Sequence, residues 1–202
     1  MLNLRLRPAL ARLVDPVADA LLRAKVPPDA ITVAGTVGVV AGALVLFPQG
    51  RFFAGTAVVF VFVLTDLLDG TMARRLGRSS RFGAWLDSTC DRAADAAIFS
   101  GLVLWYAGEG DDQLLAGLAL FCLVAGSIVS YAKARAEGLG MRCDVGLAER
   151  AERLILVLAA TLLAGLGLEL ALPVGLWLLA AASAITVVQR LLEVRRQAAL
   201  VG

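Results

Sequence analysis

Histidine is absent from this 202-residue chain. That removes the side chain most often used as a general base and as a metal ligand, so proton transfer and metal binding fall to carboxylates. Cysteine is scarce: Cys90, Cys122 and Cys143 fit no metal-ligand spacing and read as free thiols. No basic helix with interleaved aromatics lies outside the short charged clusters, which leaves nucleic acid without support as a partner. The opening MLNLRLRPALARL scatters positive charge among apolar residues and has no small-residue cleavage site, so it does not read as a signal peptide.

Apolar length is what the chain has in abundance. It is 59% hydrophobic, against roughly 45–50% for soluble domains, with a mean hydropathy of +0.81. These values predict an all-α integral membrane protein. A hydrocarbon core of about 30 Å needs about 20 helical residues. Six spans therefore fit, as one membrane domain over 1–202 with a six-helix bundle at 30–192, and no separate soluble domain.

Residues 1–26 mix Leu, Val and Ala with Arg5, Arg7, Arg12, Asp15, Asp19, Arg23 and Lys25, the pattern of an amphipathic helix on a membrane surface. Pro27 and Pro28 end it, and Asp29 is expected to cap the first span, with Thr32 in its opening turn. Gly35, Gly38 and Gly42 in that span permit close helix packing. A second span starts at Phe52 and a third runs from near Gly83 to Tyr106. The fourth is expected over 114–131, the fifth over 154–168 and the sixth over 174–191. Lys and Arg number five in the N-terminal segment, four from Arg74 to Arg81, five from Lys133 to Arg153 and three from Arg190 on; the opposite turns hold only Arg51. Positive-inside bias puts both termini in the cytoplasm of a multi-pass cell-membrane protein.

The stretch Thr65–Asp95 departs from this apolar background. It holds Asp66, Asp69, Asp87 and Asp91 between apolar flanks, and each charge at membrane depth costs roughly 2.5–3.5 kcal/mol on insertion scales. Asp66, Asp69 and Gly70 share one helical face, and Gly83, Asp87 and Asp91 recur at four-residue steps on the next helix. Solvated charges in a loop would not need that spacing. Four facing carboxylates repel unless divalent cations lie between them, and oxygen-only ligands favour Mg²⁺ or Mn²⁺, whose remaining ligands are commonly water and substrate phosphates. Gly70 and Gly83 leave room for a phosphate beside the backbone, and Arg74 would point into the same cleft. Asp95 extends the stripe by one turn and reads as a helix-pairing group, while Arg92 neighbours Asp91 but is expected to point elsewhere on the helix as an ion-pairing structural residue.

The string Asp66, Asp69, Gly70, Ala73, Arg74, Gly83, Asp87 and Asp91 matches every position of the signature of the CDP-alcohol phosphatidyltransferases, and the chain resembles that family over nearly its whole length. The resemblance implies transfer of a phosphatidyl group from CDP-diacylglycerol to an alcohol with release of CMP. It implies that Asp66, Asp69, Asp87 and Asp91 bind two Mg²⁺ ions, with Mn²⁺ an alternative, and that Asp91 accepts the hydroxyl proton. It further implies CDP-diacylglycerol contacts from Gly70, Arg74, Ser80 and the segment Asp29, Ala30, Ile31 and Thr32, although Asp29 and Thr32 read equally as a helix cap. A homodimer is implied as well.

SYAKARAE from Ser130 and ERAERL from Glu149 resemble the actinobacterial phosphatidylinositol phosphate synthase branch, whose acceptor is inositol 3-phosphate. Ser130, Lys133, Arg153 and Arg190 then become candidates for the acceptor phosphate, against the plainer reading of the cations as topogenic charges. Glycerol 3-phosphate satisfies the same electrostatics, which keeps phosphatidylglycerophosphate synthase as the near rival. A prenyltransferase would need more spans than this length provides. A divalent cation transporter, the more distant alternative, would need a polar path across the bilayer, and the acids are confined to one side.

Overall fold

The computed structural model describes residues 15–77 and 80–201, and every regular element among them is helical. Residues 15–23 form α1. There follow α2 (Pro28–Leu46), a 3-10 turn (Phe47–Gln49), α3 (Phe52–Val63), α4 (Thr65–Arg75), α5 (Arg81–Ala107), α6 (Gln113–Gly138), α7 (Arg150–Gly165) and α8 (Ala171–Val201). The surface helix expected over 1–26 falls partly outside the described residues.

Local chemistry sets the helix ends. Pro28 opens α2, where its missing N–H is one that would be unpaired in any case. Asp29 therefore lies inside the first turn, not at the cap expected from the sequence, and its charge still suits the positive end of the helix dipole. Ser80 caps α5, its Oγ accepting the Gly83 N–H at 2.8 Å, and Asp112 caps α6 by accepting from the Leu115 N–H at 2.9 Å. Gly50, at φ +67°, takes the left-handed conformation that closes the 3-10 turn. Between α3 and α4 the Thr65 hydroxyl donates to the Phe62 carbonyl at 2.6 Å, and such back-bonding bends helices.

Among the described residues four helical stretches are long and apolar enough to cross a membrane: Pro28–Gln49, Phe52–Arg75, Gln113–Gly138 and Ala171–Ala199. α5 has 27 residues but carries Arg81, Asp87, Asp91, Arg92 and Asp95 between its start and just past its midpoint. α7 has 16, fewer than the roughly 20 of a standard span. It starts a turn earlier than the sequence suggests because Glu149, in extended conformation, precedes it. α8 runs past Leu191 because its polar end pairs along the helix, Arg196 Nη2 lying 2.7 Å from Glu193 Oε1.

The chain divides into two compact units. The first takes the described residues up to Gly42 with Val58–Ala94; the second takes Ala43–Ala57 with Asp95–Gly202. In the first, the glycine stripe of α2 meets the helical segment after it, the second half of α3 and the start of α4. A Cβ on Gly35 would lie 2.0 Å from Thr65 Oγ1, one on Gly38 2.3 Å from the Phe62 ring, and one on Gly42 2.7 Å from Val58 Cγ1. The close packing expected of these glycines is borne out. In the second unit Leu102, Leu172, Leu176 and Leu179 are fully buried, and the buried hydroxyls of Thr56 and Thr161 pair at 2.7 Å. All three cysteines are free thiols, as expected.

Gly101 tests this packing, because a Cβ there would lie 2.5 Å from the Ala43 carbonyl oxygen, whereas one on Gly117 meets nothing within 4 Å. Gly101→Val is expected to cost about 1–3 kcal/mol through overpacking, and Gly117→Val close to nothing. Thermal unfolding of the two variants in detergent gives the comparison; equal midpoints would contradict the packing described.

Candidate functional site

In the first unit α4 presents Asp66, Asp69 and Gly70, and the first half of α5 presents Gly83, Asp87 and Asp91. Asp66, Asp69 and Asp87 share the wall of one cavity of about 780 Å³ with Asp29, Thr32, Gly70, Ala73, Ser80 and Gly83. The structure thus brings together most of the residues that the spacing picks out. Among the described residues no three carboxylates converge as closely as a coordination shell requires. They share a cavity, not a point. The donor set nevertheless fits a hard divalent cation in kind, since its ionisable ligands are carboxylates and neither histidine nor cysteine lines it.

Asp69 is the most confined of the acids, with 7% of its surface exposed. Its Oδ2 accepts the Thr32 hydroxyl at 2.5 Å, a bond that joins α2 to α4. Thr32 is equally buried, and its hydroxyl also lies 3.3 Å from the Pro28 carbonyl. A buried carboxylate without a donor is unstable, so this threonine both satisfies and orients the acid. Asp66 is half-buried and Asp87 exposed.

Other candidates lie apart from the cavity wall. Asp91 is half-buried, one turn beyond Asp87, with its Oδ2 3.8 Å from Arg92 Nη2. Arg92 thus takes part in an ion pair, the structural role expected of it. Arg74 is exposed and folds back across Gly70, its Nη2 donating to Thr71 Oγ1 at 3.0 Å while Nη1 lies 3.5 Å from where a Gly70 Cβ would be. Neither Ala30 nor Ile31 lines the cavity. At Gly83 an added Cβ would come within 3.0 Å of Ser80 Oγ and 3.5 Å of Asp29 Oδ1, so the missing side chain keeps that corner open.

Leu22, Lys25, Val26, Pro27 and Pro28 also line the cavity, and the sequence reading did not single them out. Lys25 takes a left-handed conformation, φ +58°, at the turn that ends α1. The Pro27–Pro28 pair ahead of a span was the signal for a fixed turn here.

The second unit holds the other candidate cluster. Arg153 and Arg190 are both 2% exposed. Arg153 Nη2 donates to Asp95 Oδ2 at 2.9 Å, and Arg150 Nε lies 3.6 Å from Oδ1 of the same carboxylate; the pairing role expected of Asp95 matches this. Arg190 donates to the Val129 carbonyl, to the Val145 carbonyl at 2.9 Å and to Glu149 Oε1 at 3.0 Å. Lys133 Nζ lies 2.7 Å from Asp144 Oδ1, and that hydrogen bond holds the exposed Asp144 carboxyl below the usual carboxylate range. Ser130 Oγ donates to the Gly126 carbonyl at 3.1 Å. Each cation thus faces an acid, and of the three only Asp95 had a pairing role expected from the sequence.

Comparison with known proteins supplies the context for both clusters. Residues 25–188 match the model of a family described as CDP-alcohol phosphatidyltransferase. A phosphatidylinositol phosphate synthase of Streptomyces avermitilis is 51% identical over 206 residues, covering 98% of this chain and 84% of that protein. The phosphatidylinositol phosphate synthase of Mycobacterium tuberculosis strain H37Rv is 52% identical over 193 residues, covering 92% and 87%. The crystal structure of the M. tuberculosis synthase with CDP-DAG bound superposes with a TM-score of 0.88 at 51% identity, covering 91% of this chain and 94% of that one. Its complex with manganese and citrate gives a TM-score of 0.86 at 52% identity, covering 89% and 87%.

Two substitutions separate the contributions at the cavity wall. Ser80→Ala removes the cap of α5 and is expected to cost about 1 kcal/mol. Thr32→Val removes a donor to a buried carboxylate and is expected to cost about 1.5–3 kcal/mol. Unfolding midpoints should fall in that order, and a smaller loss for Thr32→Val would contradict the weight given to its bond with Asp69.

Proposed function

This chain belongs to the CDP-alcohol phosphatidyltransferase family, and on that premise we propose that it transfers the phosphatidyl group of CDP-diacylglycerol to inositol 3-phosphate, releasing CMP. It is an enzyme of this type. The observation that carries the reading is the cavity on which Asp66, Asp69 and Asp87 meet Gly70, Ser80 and Gly83, in a chain half identical to proteins named phosphatidylinositol phosphate synthase. Those names favour inositol phosphate over glycerol 3-phosphate as acceptor.

Asp66, Asp69, Asp87 and Asp91 would hold two Mg²⁺ ions, with Mn²⁺ an alternative; a homologue's crystal structure contains manganese. When bound, the ions would offset negative charge on the diphosphate and on the departing CMP. The chain's own groups do the rest. Thr32 keeps Asp69 oriented. Gly70 and Gly83 leave the backbone open to phosphate, and the first turn of α5, capped by Ser80, offers N–H groups and a positive dipole end. Arg74 leaves Thr71 to pair with a phosphate oxygen, and Asp29, Ala30, Ile31 and Thr32 meet the nucleotide end of the lipid. Asp91 takes the proton from the acceptor hydroxyl as its oxygen attacks the phosphatidyl phosphorus, and the bond from that phosphorus to the CMP phosphate breaks.

Ser130, Lys133, Arg153 and Arg190 take the acceptor phosphate. Their present partners Asp95, Asp144 and Glu149 are carboxylates, and a phosphate dianion suits the same donors. The rest of the proposal is topological. α5 and α7 join the four apolar stretches as the third and fifth of six spans, α1 lies on the membrane surface, and the spans form one domain. Both termini and the acids face the cytoplasm of the cell membrane, and the enzyme is a homodimer.

Purified protein given Mg²⁺ and CDP-diacylglycerol is expected to release CMP with inositol 3-phosphate and far less with inositol, glycerol 3-phosphate or serine; no CMP with any of them would sink the proposal. Asp91→Asn should lower kcat by at least about a hundredfold while the nucleotide lipid still binds, and full turnover would remove its role as base. Arg153→Gln and Arg190→Gln should raise the acceptor KM about tenfold or more, with little change in that of the donor. Equal effects on the two substrates would count against the phosphate pocket.

A further inference from the structure

α1 is part of the cavity as well as a surface element. It supplies Leu22 to the wall, and the turn after it supplies Lys25 and Val26, opposite the acids of α4 and α5. Its buried anchorage is slight: Ala18 is fully covered, whereas Val17 is 45% exposed. A polar tie supplements it. At the end of α4, Arg75 Nη2 lies 2.7 Å from Asp15 Oδ1, and Nη1 pairs with Asp19 Oδ1. Asp15 and Asp19 are one helical turn apart, so they present two carboxylates on one face, and a guanidinium is a rigid fork that engages both at once. The helix that holds α1 in this way is the one that carries Asp66 and Asp69.

We infer that Arg75 is a positioning residue for the donor: through Asp15 and Asp19 it sets the distance between the α1 wall and the acids, and so the width of the space for the CDP headgroup. Arg75 does not line the cavity and touches no substrate. It acts through Leu22, Lys25 and Val26. The inference rests on the reading of the cavity as the CDP-diacylglycerol site. Its effect is confined to donor binding, because the tie concerns one wall and none of the groups that take or give a proton. The pairs are partly exposed, so each is modest, and the two together are worth a severalfold change, not orders of magnitude.

Steady-state kinetics with both substrates varied tests this. Arg75→Gln is expected to raise the donor KM about fivefold, with kcat and the acceptor KM within about twofold of the parent, and Arg75→Glu to raise it further through repulsion. Asp19→Arg alone should also raise it. The double variant carrying Arg75→Glu and Asp19→Arg restores an ion pair of opposite sense and should return the donor KM most of the way. An unchanged donor KM in Arg75→Glu, or a double variant no better than the worse single one, overturns the inference. A parallel loss of kcat and of unfolding midpoint in Arg75→Gln would make Arg75 a determinant of the fold and overturn it as well. A parent protein inert toward CDP-diacylglycerol removes the donor site itself; an active parent with an insensitive Arg75 removes only the positioning role.

Discussion

A carboxylate in an apolar helix must find a donor or a cation, and in the first unit that constraint is met at Asp69. Burial in the α4 segment would make its charge untenable alone. The Thr32 hydroxyl at 2.5 Å supplies a donor, and supplying it requires α2 to lie close. Gly35, Gly38 and Gly42 make that approach sterically possible, since any Cβ there would collide with Thr65, Phe62 or Val58. Helix packing and the orientation of one acid are therefore a single arrangement. Asp66 and Asp87 come to the same cavity because they share faces with Asp69 and Gly83 on helices already fixed.

The second unit meets the same constraint with ion pairs. Arg153 and Arg190 are almost wholly covered, and each is held by a carboxylate together with backbone carbonyls. Such pairs contribute little net stability, because desolvation offsets much of the attraction. What they provide is placement: each guanidinium is fixed in direction, which the proposed acceptor-phosphate role would require. Lys133 with Asp144 is the more exposed version, with the lysine one turn from Ser130.

Much of this was legible in the chain before any coordinates. The acids, Gly70 and Gly83 announce themselves because i, i+3 and i, i+4 steps translate directly into a shared helix face, and apolar flanks make each charge conspicuous. The glycine stripe of α2 was readable for the same reason. Less legible were features that depend on distant partners. Asp144 and Glu149 are ordinary acids in sequence, and the spacing that gives Asp95 a helix-pairing role does not name its partner; only folding shows that the three face Lys133, Arg190 and Arg153. The contribution of Leu22, Lys25 and Val26 to the cavity arises from a turn whose direction Pro27 and Pro28 signal but do not specify. Asp29 lies two positions inside the expected cap because a proline at the start of α2 takes over the terminus that a capping side chain would otherwise serve. The bend at Thr65 left no mark in hydropathy, since a threonine among valines and phenylalanines barely changes the average.

In the proposed function the carboxylates of the first unit hold a divalent cation against the diphosphate of a nucleotide lipid. Electron paramagnetic resonance of Mn²⁺ added to the purified protein, with phosphorus-31 hyperfine detection, tests it most directly. Bound Mn²⁺ should be lost in a variant combining Asp66→Asn with Asp69→Asn, and adding CDP-diacylglycerol to the parent protein should produce phosphorus coupling at the metal. Mn²⁺ bound equally by the double variant, or a bound ion that shows no phosphorus coupling with the lipid present, would contradict it.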